Sequence, residues 1–144
     1  MKLFTIEFTK KNAEQFFTRL KQPGLQRVVD TRLNNVSQLA GFTKKEDLRY
    51  FLREVGHIDY AHLPALAPTQ KMLDDYKKNG GDWDTYERQF LGLMAERRIE
   101  ATVDKSLVAG ACLLCSEPTP HHCHRRLVAE YLRDKWEDVD IEHL

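Results

Sequence analysis

Apolar residues along this chain fall alternately into short continuous runs and stretches with helical spacing, the pattern of strands and helices repeating around a parallel sheet. Residues 3–8 (LFTIEF) read as a first strand, and residues 11–21 as a helix with Phe16, Phe17 and Leu20 on one side, closed by Pro23-Gly24. Residues 26–32 (QRVVDTR) read as a second strand. Thr43 with Glu46 three positions on has the form of a capping box. It opens a helix over residues 44–55 that carries Leu48, Phe51, Leu52 and Val55 and stops at Gly56. Residues 58–63 (IDYAHL) predict a third strand before Pro64 and Pro68, and helices are expected over 69–78 and 83–97, parted by Asn79-Gly80-Gly81.

The most apolar stretch is residues 107–115 (LVAGACLLC), which lacks polar alternation and so reads as a strand buried on both faces of a parallel sheet. Residues 120–136 place Leu127, Val128, Tyr131 and Leu132 at helical offsets, and residues 139–144 (VDIEHL) close as a last strand. No repeat or linker interrupts this order. The expected architecture is therefore a single α/β domain over residues 1–144, with a mostly parallel sheet of about five strands flanked by helices.

Composition narrows the class. With 144 residues, 42% hydrophobic and 31% charged, the chain is long enough and apolar enough to bury a core. No apolar run reaches the roughly 20 residues a membrane-spanning helix needs, and Glu7 interrupts the first apolar stretch, so a cytoplasmic protein without a signal peptide is expected. Lys plus Arg equals Asp plus Glu at 22 each, which weakens any case for a broad basic surface but leaves room for a local basic pocket. Three cysteines without a secretion signal argue for thiols over a disulfide framework, with a Cys115–Cys123 redox pair a disfavoured variant.

The chemistry gathers in residues 114–126 (LCSEPTPHHCHRR). Ligands of open α/β sheets bind outside the carboxyl ends of the strands, where Cys115 and Glu117 are expected, two apart and pointing the same way. Thr119-Pro120 has the form of an N-cap followed by proline at the first helical position. That start would put Cys123, His124 and Arg125 near the helix beginning, where free N–H groups and the dipole favour an anion and a thiolate. Asp30 and Arg32 end the second strand, and His62 ends the third.

These motifs resemble those of the domain of unknown function 488 family. The resemblance is carried by Val28-Val29-Asp30-Thr31-Arg32 followed by Ser37, by Gly56 through Pro64, and above all by the Cys-x-Glu element with Cys-His-Arg ending at Arg125. It spans nearly the whole chain, and it implies a small bacterial-type α/β domain with a shared polar pocket and no generally assigned activity. It matches Asp30, Arg32, Ser37, His62, Cys115, Glu117, Cys123, His124 and Arg125 to motif residues.

Three readings stay open. The first is a site for an anionic ligand, such as a phosphate, a nucleotide or a nucleic-acid end. Arg32, Ser37, His62 and Arg125 would bind it, and Glu117, Cys123, His124 and Asp30 would supply acid, base or nucleophile. Consecutive helical residues point about 100° apart, so Cys123, His124 and Arg125 cannot all face one atom. The second is a zinc or iron site using Cys115 and Cys123 with a histidine, although C-x7-C is not a tight knuckle spacing. The third is a non-catalytic binding or regulatory module with a structural polar cluster. Plainer roles stand beside each: an Asp30–Arg32 ion pair fixing a loop, Cys112 in the core, and Trp83, Tyr86 and Phe90 as core aromatics.

Overall fold

A computed structural model describes residues 1–9, 11–34, 41–115 and 123–144. The apolar runs become strands: β1 (Lys2–Glu7), β2 (Arg27–Asp30), β3 (Asp59–His62), β4 (Ala111–Cys115) and β5 (Asp140–His143). They form one sheet in the order β3-β2-β4-β1-β5, and every neighbouring pair is parallel. The helices among the described residues are α1 (Ala13–Arg19), α2 (Lys45–Phe51), α3 (Gln70–Lys77), α4 (Trp83–Arg97), α5 (Ile99–Thr102), α6 (Lys105–Val108) and α7 (His124–Trp136). This is the expected α/β architecture. No helix among the described residues is long and apolar enough to cross a membrane.

Strand alternation divides the core in two. Leu3, Val29 and Leu113 face one way and pack with Phe90 and Met94 of α4 and Leu127, Val128 and Leu132 of α7. Phe4, Ile6, Val28, Cys112 and Leu114 face the other way and pack with Phe16 of α1, Leu48 of α2 and Leu52. Each such fully buried Leu, Ile or Phe stabilises the fold by about 1.5–3 kcal/mol.

Helix ends explain where the sequence expectations shift. Helix α1 starts on a reciprocal capping box, in which the Asn12 side chain accepts from Gln15 N and the Gln15 side chain accepts from Asn12 N. Thr69 and Asp82 cap α3 and α4 with their side chains. The box expected at Thr43 is not what opens α2: the N-cap position falls on Lys44, without a side-chain hydrogen bond, after a 3₁₀ turn over Gly41–Thr43. Helix α2 runs on as one π-type turn (Leu52–Gly56) that ends at His57 in the left-handed region.

The strand expected over residues 107–115 is only half strand. Residues Lys105–Val108 form α6, and β4 begins at Ala111. Gly110 separates the two with φ +72°, and a Cβ there would lie 2.8 Å from the Gly24 carbonyl oxygen. Only glycine accepts both that backbone angle and that approach without strain. The last helix also starts later than expected, at His124 with Cys123 at the N-cap, in place of a start at Pro120. Thr119 and Pro120 lie outside the described residues.

Candidate functional site

The connections mark one place on this sheet. After β1 the chain turns into α1 on one face and on to β2, whereas after β4 it turns into α7 on the opposite face and on to β5. Strands β1 and β4 are neighbours, with Glu7 opposite Cys115 at their carboxyl ends. Helices diverging to opposite faces leave a crevice between two such strand ends, and this is where open α/β sheets bind ligands.

On the α7 side, Arg125 organises the crevice. Its Nη2 donates to Glu7 Oε2 at 2.8 Å and its Nη1 to Cys115 Sγ at 2.9 Å, with the side chain only 1% exposed. Lys11 pairs with the other Glu7 oxygen from the end of the β1–α1 connection, next to the α1 N-cap. A disulfide joins Cys115, the last residue of β4, to Cys123, the N-cap residue of α7. His124, also buried, donates from Nε2 to the Thr31 carbonyl at 2.8 Å, which assigns the proton to that nitrogen. The Thr31 hydroxyl in turn donates to the Leu114 carbonyl at 2.8 Å and stands 3.1 Å from His124 Nε2.

On the other face, Asp30 organises a second cluster. Its Oδ1 accepts from the Arg32 backbone N–H at 3.1 Å and from Arg32 Nε at 2.8 Å. Its Oδ2 accepts from Arg32 Nη2 at 2.8 Å and from the Tyr60 hydroxyl at 2.6 Å. Burial works to raise the Asp30 pKa, but the Arg32 guanidinium, the Tyr60 hydroxyl and the Arg32 amide outweigh it, so the carboxyl is held below its ordinary value. His62, opposite Asp30 in the register, donates from Nε2 to the Arg32 carbonyl at 2.9 Å.

Arg32 stays with the Asp30 cluster and reaches across towards the end of β1. Its guanidinium carbon stands 5.6 Å from the centroid of the Phe8 ring, just past the end of β1. Since β4 lies between β2 and β1, this side chain spans the end of β4. Residues 30–32 thus send Asp30 and Arg32 to one cluster and Thr31 to the other, as strand alternation requires.

Residues 12–132 match the sequence profile of a family described as Domain of unknown function DUF488. The chain belongs to the DUF488 family. No curated protein and no solved structure matches it. The DUF488 match begins at Asn12, so β1 and Glu7, which form one wall of the crevice, lie ahead of the matched segment.

Of the residues singled out from sequence, the DUF488 fold brings Cys115, Cys123, His124 and Arg125 together on the α7 side, and Asp30, Arg32 and His62 on the other. Ser37 and Glu117 lie outside the described residues. Glu7, Lys11, Thr31 and Tyr60 complete the site and were not singled out. Among the described residues, no group of three or more His, Cys, Asp or Glu side chains is arranged to hold a metal ion. Cys115 and Cys123, the sulfurs expected to ligate zinc or iron, are bonded to each other. Cys112, the third cysteine, is buried on the opposite side of β4, where burial pushes its thiol well above the ordinary range.

Proposed function

We propose that the crevice between the ends of β1 and β4 binds a small phosphate-bearing anion, of the size of a phosphate monoester or mononucleotide. The observation that carries this reading is the pair of guanidiniums flanking the end of β4, each held in place by a buried carboxylate. Arg32 comes from one face on Asp30, and Arg125 from the other on Glu7. Arginine held in a fixed plane suits bidentate recognition of phosphate. The start of the 13-residue α7 adds the positive end of a helix dipole.

Arg32 and Arg125 are 3% and 1% exposed, which favours a small enclosed anion over the phosphate backbone of a nucleic acid. Backbone binding draws on many exposed cations, and this chain has no net positive charge. In this reading Asp30 and Glu7 are positioning residues, because their oxygens are taken up by arginine, tyrosine and lysine. His62 and His124 brace the 30–32 segment through its carbonyls. Glu117, two residues beyond Cys115, is the carboxylate assigned to acid or base work, and Ser37 is assigned to the ligand; both rest on the sequence motif.

The test is thermal unfolding with inorganic phosphate or a 5′-mononucleotide, each against sodium chloride at matched ionic strength. A ligand at ten times its Kd stabilises by about 1.4 kcal/mol, a rise in Tm of roughly 3–6 °C for a chain this size. Arg32→Lys keeps the charge and loses the fork, so the rise should shrink at least severalfold. An equal response to phosphate and chloride in the unaltered protein would overturn the reading.

A further inference from the structure

We infer that Cys115 and Cys123 form a reversible dithiol/disulfide couple, oxidised by a small peroxide and reset by a dithiol reductant. The inference goes beyond anion binding and stands whether or not an anion binds. Three cysteines occur in the chain, and the fold treats them differently. Cys112 packs into the α1 side of the core. Cys115 and Cys123 meet at the crevice from β4 and the α7 N-cap, eight residues apart in sequence. A guanidinium nitrogen of Arg125 lies 2.9 Å from the Cys115 sulfur, and a cation at that range stabilises the sulfur as an anion in the reduced form.

The same geometry says which oxidants fit. Cys115 and Cys123 are 0% and 1% exposed, and a peroxide, little larger than water, is the oxidant that needs the least room to reach them. In the first step the Cys115 thiolate attacks one peroxide oxygen. An S–O bond forms, the O–O bond breaks, and hydroxide (or alkoxide) leaves. In the second step the Cys123 sulfur attacks the sulfenic sulfur. The S–S bond forms, the S–O bond breaks, and the departing hydroxide takes the Cys123 proton to leave as water. Two thiols lose two electrons and the peroxide gains them. A dithiol reductant reverses the change by two exchange steps, ending as its own disulfide.

The couple ties the end of the central strand to the beginning of α7, the helix that carries Arg125. Oxidation therefore acts on the group that also holds Glu7, and it removes a negative charge from beside the guanidinium.

The experiment uses the full chain, reduced and freed of reductant, then treated with hydrogen peroxide at low molar excess. It is quenched by alkylation after denaturation and read by intact mass and peptide mapping. All three cysteines should alkylate before treatment and only Cys112 after it, with Cys112→Ser behaving as the unaltered protein. Cys123→Ser should accumulate a sulfenic acid on Cys115 that a 1,3-dione captures, and Cys115→Ser should give little capture. Dithiothreitol should restore the starting alkylation pattern.

Unchanged alkylation of Cys115 and Cys123 after peroxide would overturn the couple. So would over-oxidation of either without a crosslink. Release of one equivalent of zinc on peroxide treatment would also overturn it, by assigning the reduced sulfurs to a metal. None of these results bears on phosphate binding, which the thermal assay reads separately.

Discussion

Replacing Asp30 by asparagine tests the framework that holds Arg32. The aspartate is fully buried and accepts hydrogen bonds from the Arg32 amide, Nε and Nη2 and from the Tyr60 hydroxyl. An amide in its place keeps one acceptor oxygen, which can serve the Arg32 amide and Nε. Its NH₂ group then faces Arg32 Nη2, donor against donor, and the buried guanidinium loses the Asp30 charge. Breaking a buried ion pair from one side costs about 3–5 kcal/mol, a large share of the roughly 5–15 kcal/mol that stabilises a domain. With a urea m-value of about 2 kcal/mol/M, the unfolding midpoint should fall by about 2 M.

Acid supplies the internal check. The folded-state pKa of Asp30 is depressed, so its contribution is fully present above the unfolded value near 3.9 and is lost as pH falls through the folded value. The gap between Asp30→Asn and the unaltered protein should be widest at neutral pH and begin to narrow only below about pH 4. Adding Arg32→Met to the variant removes the mismatched guanidinium and should recover part of the loss, a departure from additivity expected for residues in contact. A loss below about 1 kcal/mol, in the range of surface pairs, would refute the assignment of Asp30 as a buried anchor.

Two further substitutions probe the scaffold. Gly110→Ala should destabilise by about 2 kcal/mol or more in urea, because its φ of +72° disfavours any Cβ and the Gly24 carbonyl oxygen would lie 2.8 Å away. Gly92→Ala, inside α4 with nothing within 4 Å of the added Cβ, should instead stabilise by about 0.5–1 kcal/mol. The Tyr131 hydroxyl is pushed up to about 12 by burial and by its hydrogen bond to Glu100. The unfolded chain ionises near 10, so stability should decline as pH rises from 10 to 12; Tyr131→Phe should lose that component of the decline, seen in parallel alkaline unfolding curves.

Much of the fold could be read from patterning because burial and period agree in its strands and long helices. LFTIEF covers all of β1 but its first residue, IDYAHL contains β3, and the spacing of Leu127, Val128 and Leu132 marks α7. Where they disagree, the reading slipped. In LVAGACLLC every residue is apolar or small, so periodicity cannot tell one turn of helix from a strand. The φ of Gly110 makes the division, and that angle depends on the approach of Gly24.

Within the site, the motif residues that end strands were legible from chain position alone. Their partners were not. Glu7 reads as a polar interruption of a strand until the register sets it opposite Cys115, and Thr31 as filler between Asp30 and Arg32 until His124 reaches its carbonyl. Tyr60 carries its signal only through pairing, since β3 sets it beside Val28 with its hydroxyl on Asp30. Contacts between residues far apart in sequence leave no local trace.

The position of β1 has a consequence for how the chain is made. Its partners are β4 and β5, so residues 2–7 leave the ribosome about a hundred residues before anything can pair with them. At roughly 5–20 residues per second, the β1 segment stays without its neighbours for about 5–20 seconds of synthesis. Until β4 arrives, that segment is a natural hold for chaperones, and the site, which needs β1 and β4 side by side, forms only after β4 has been made.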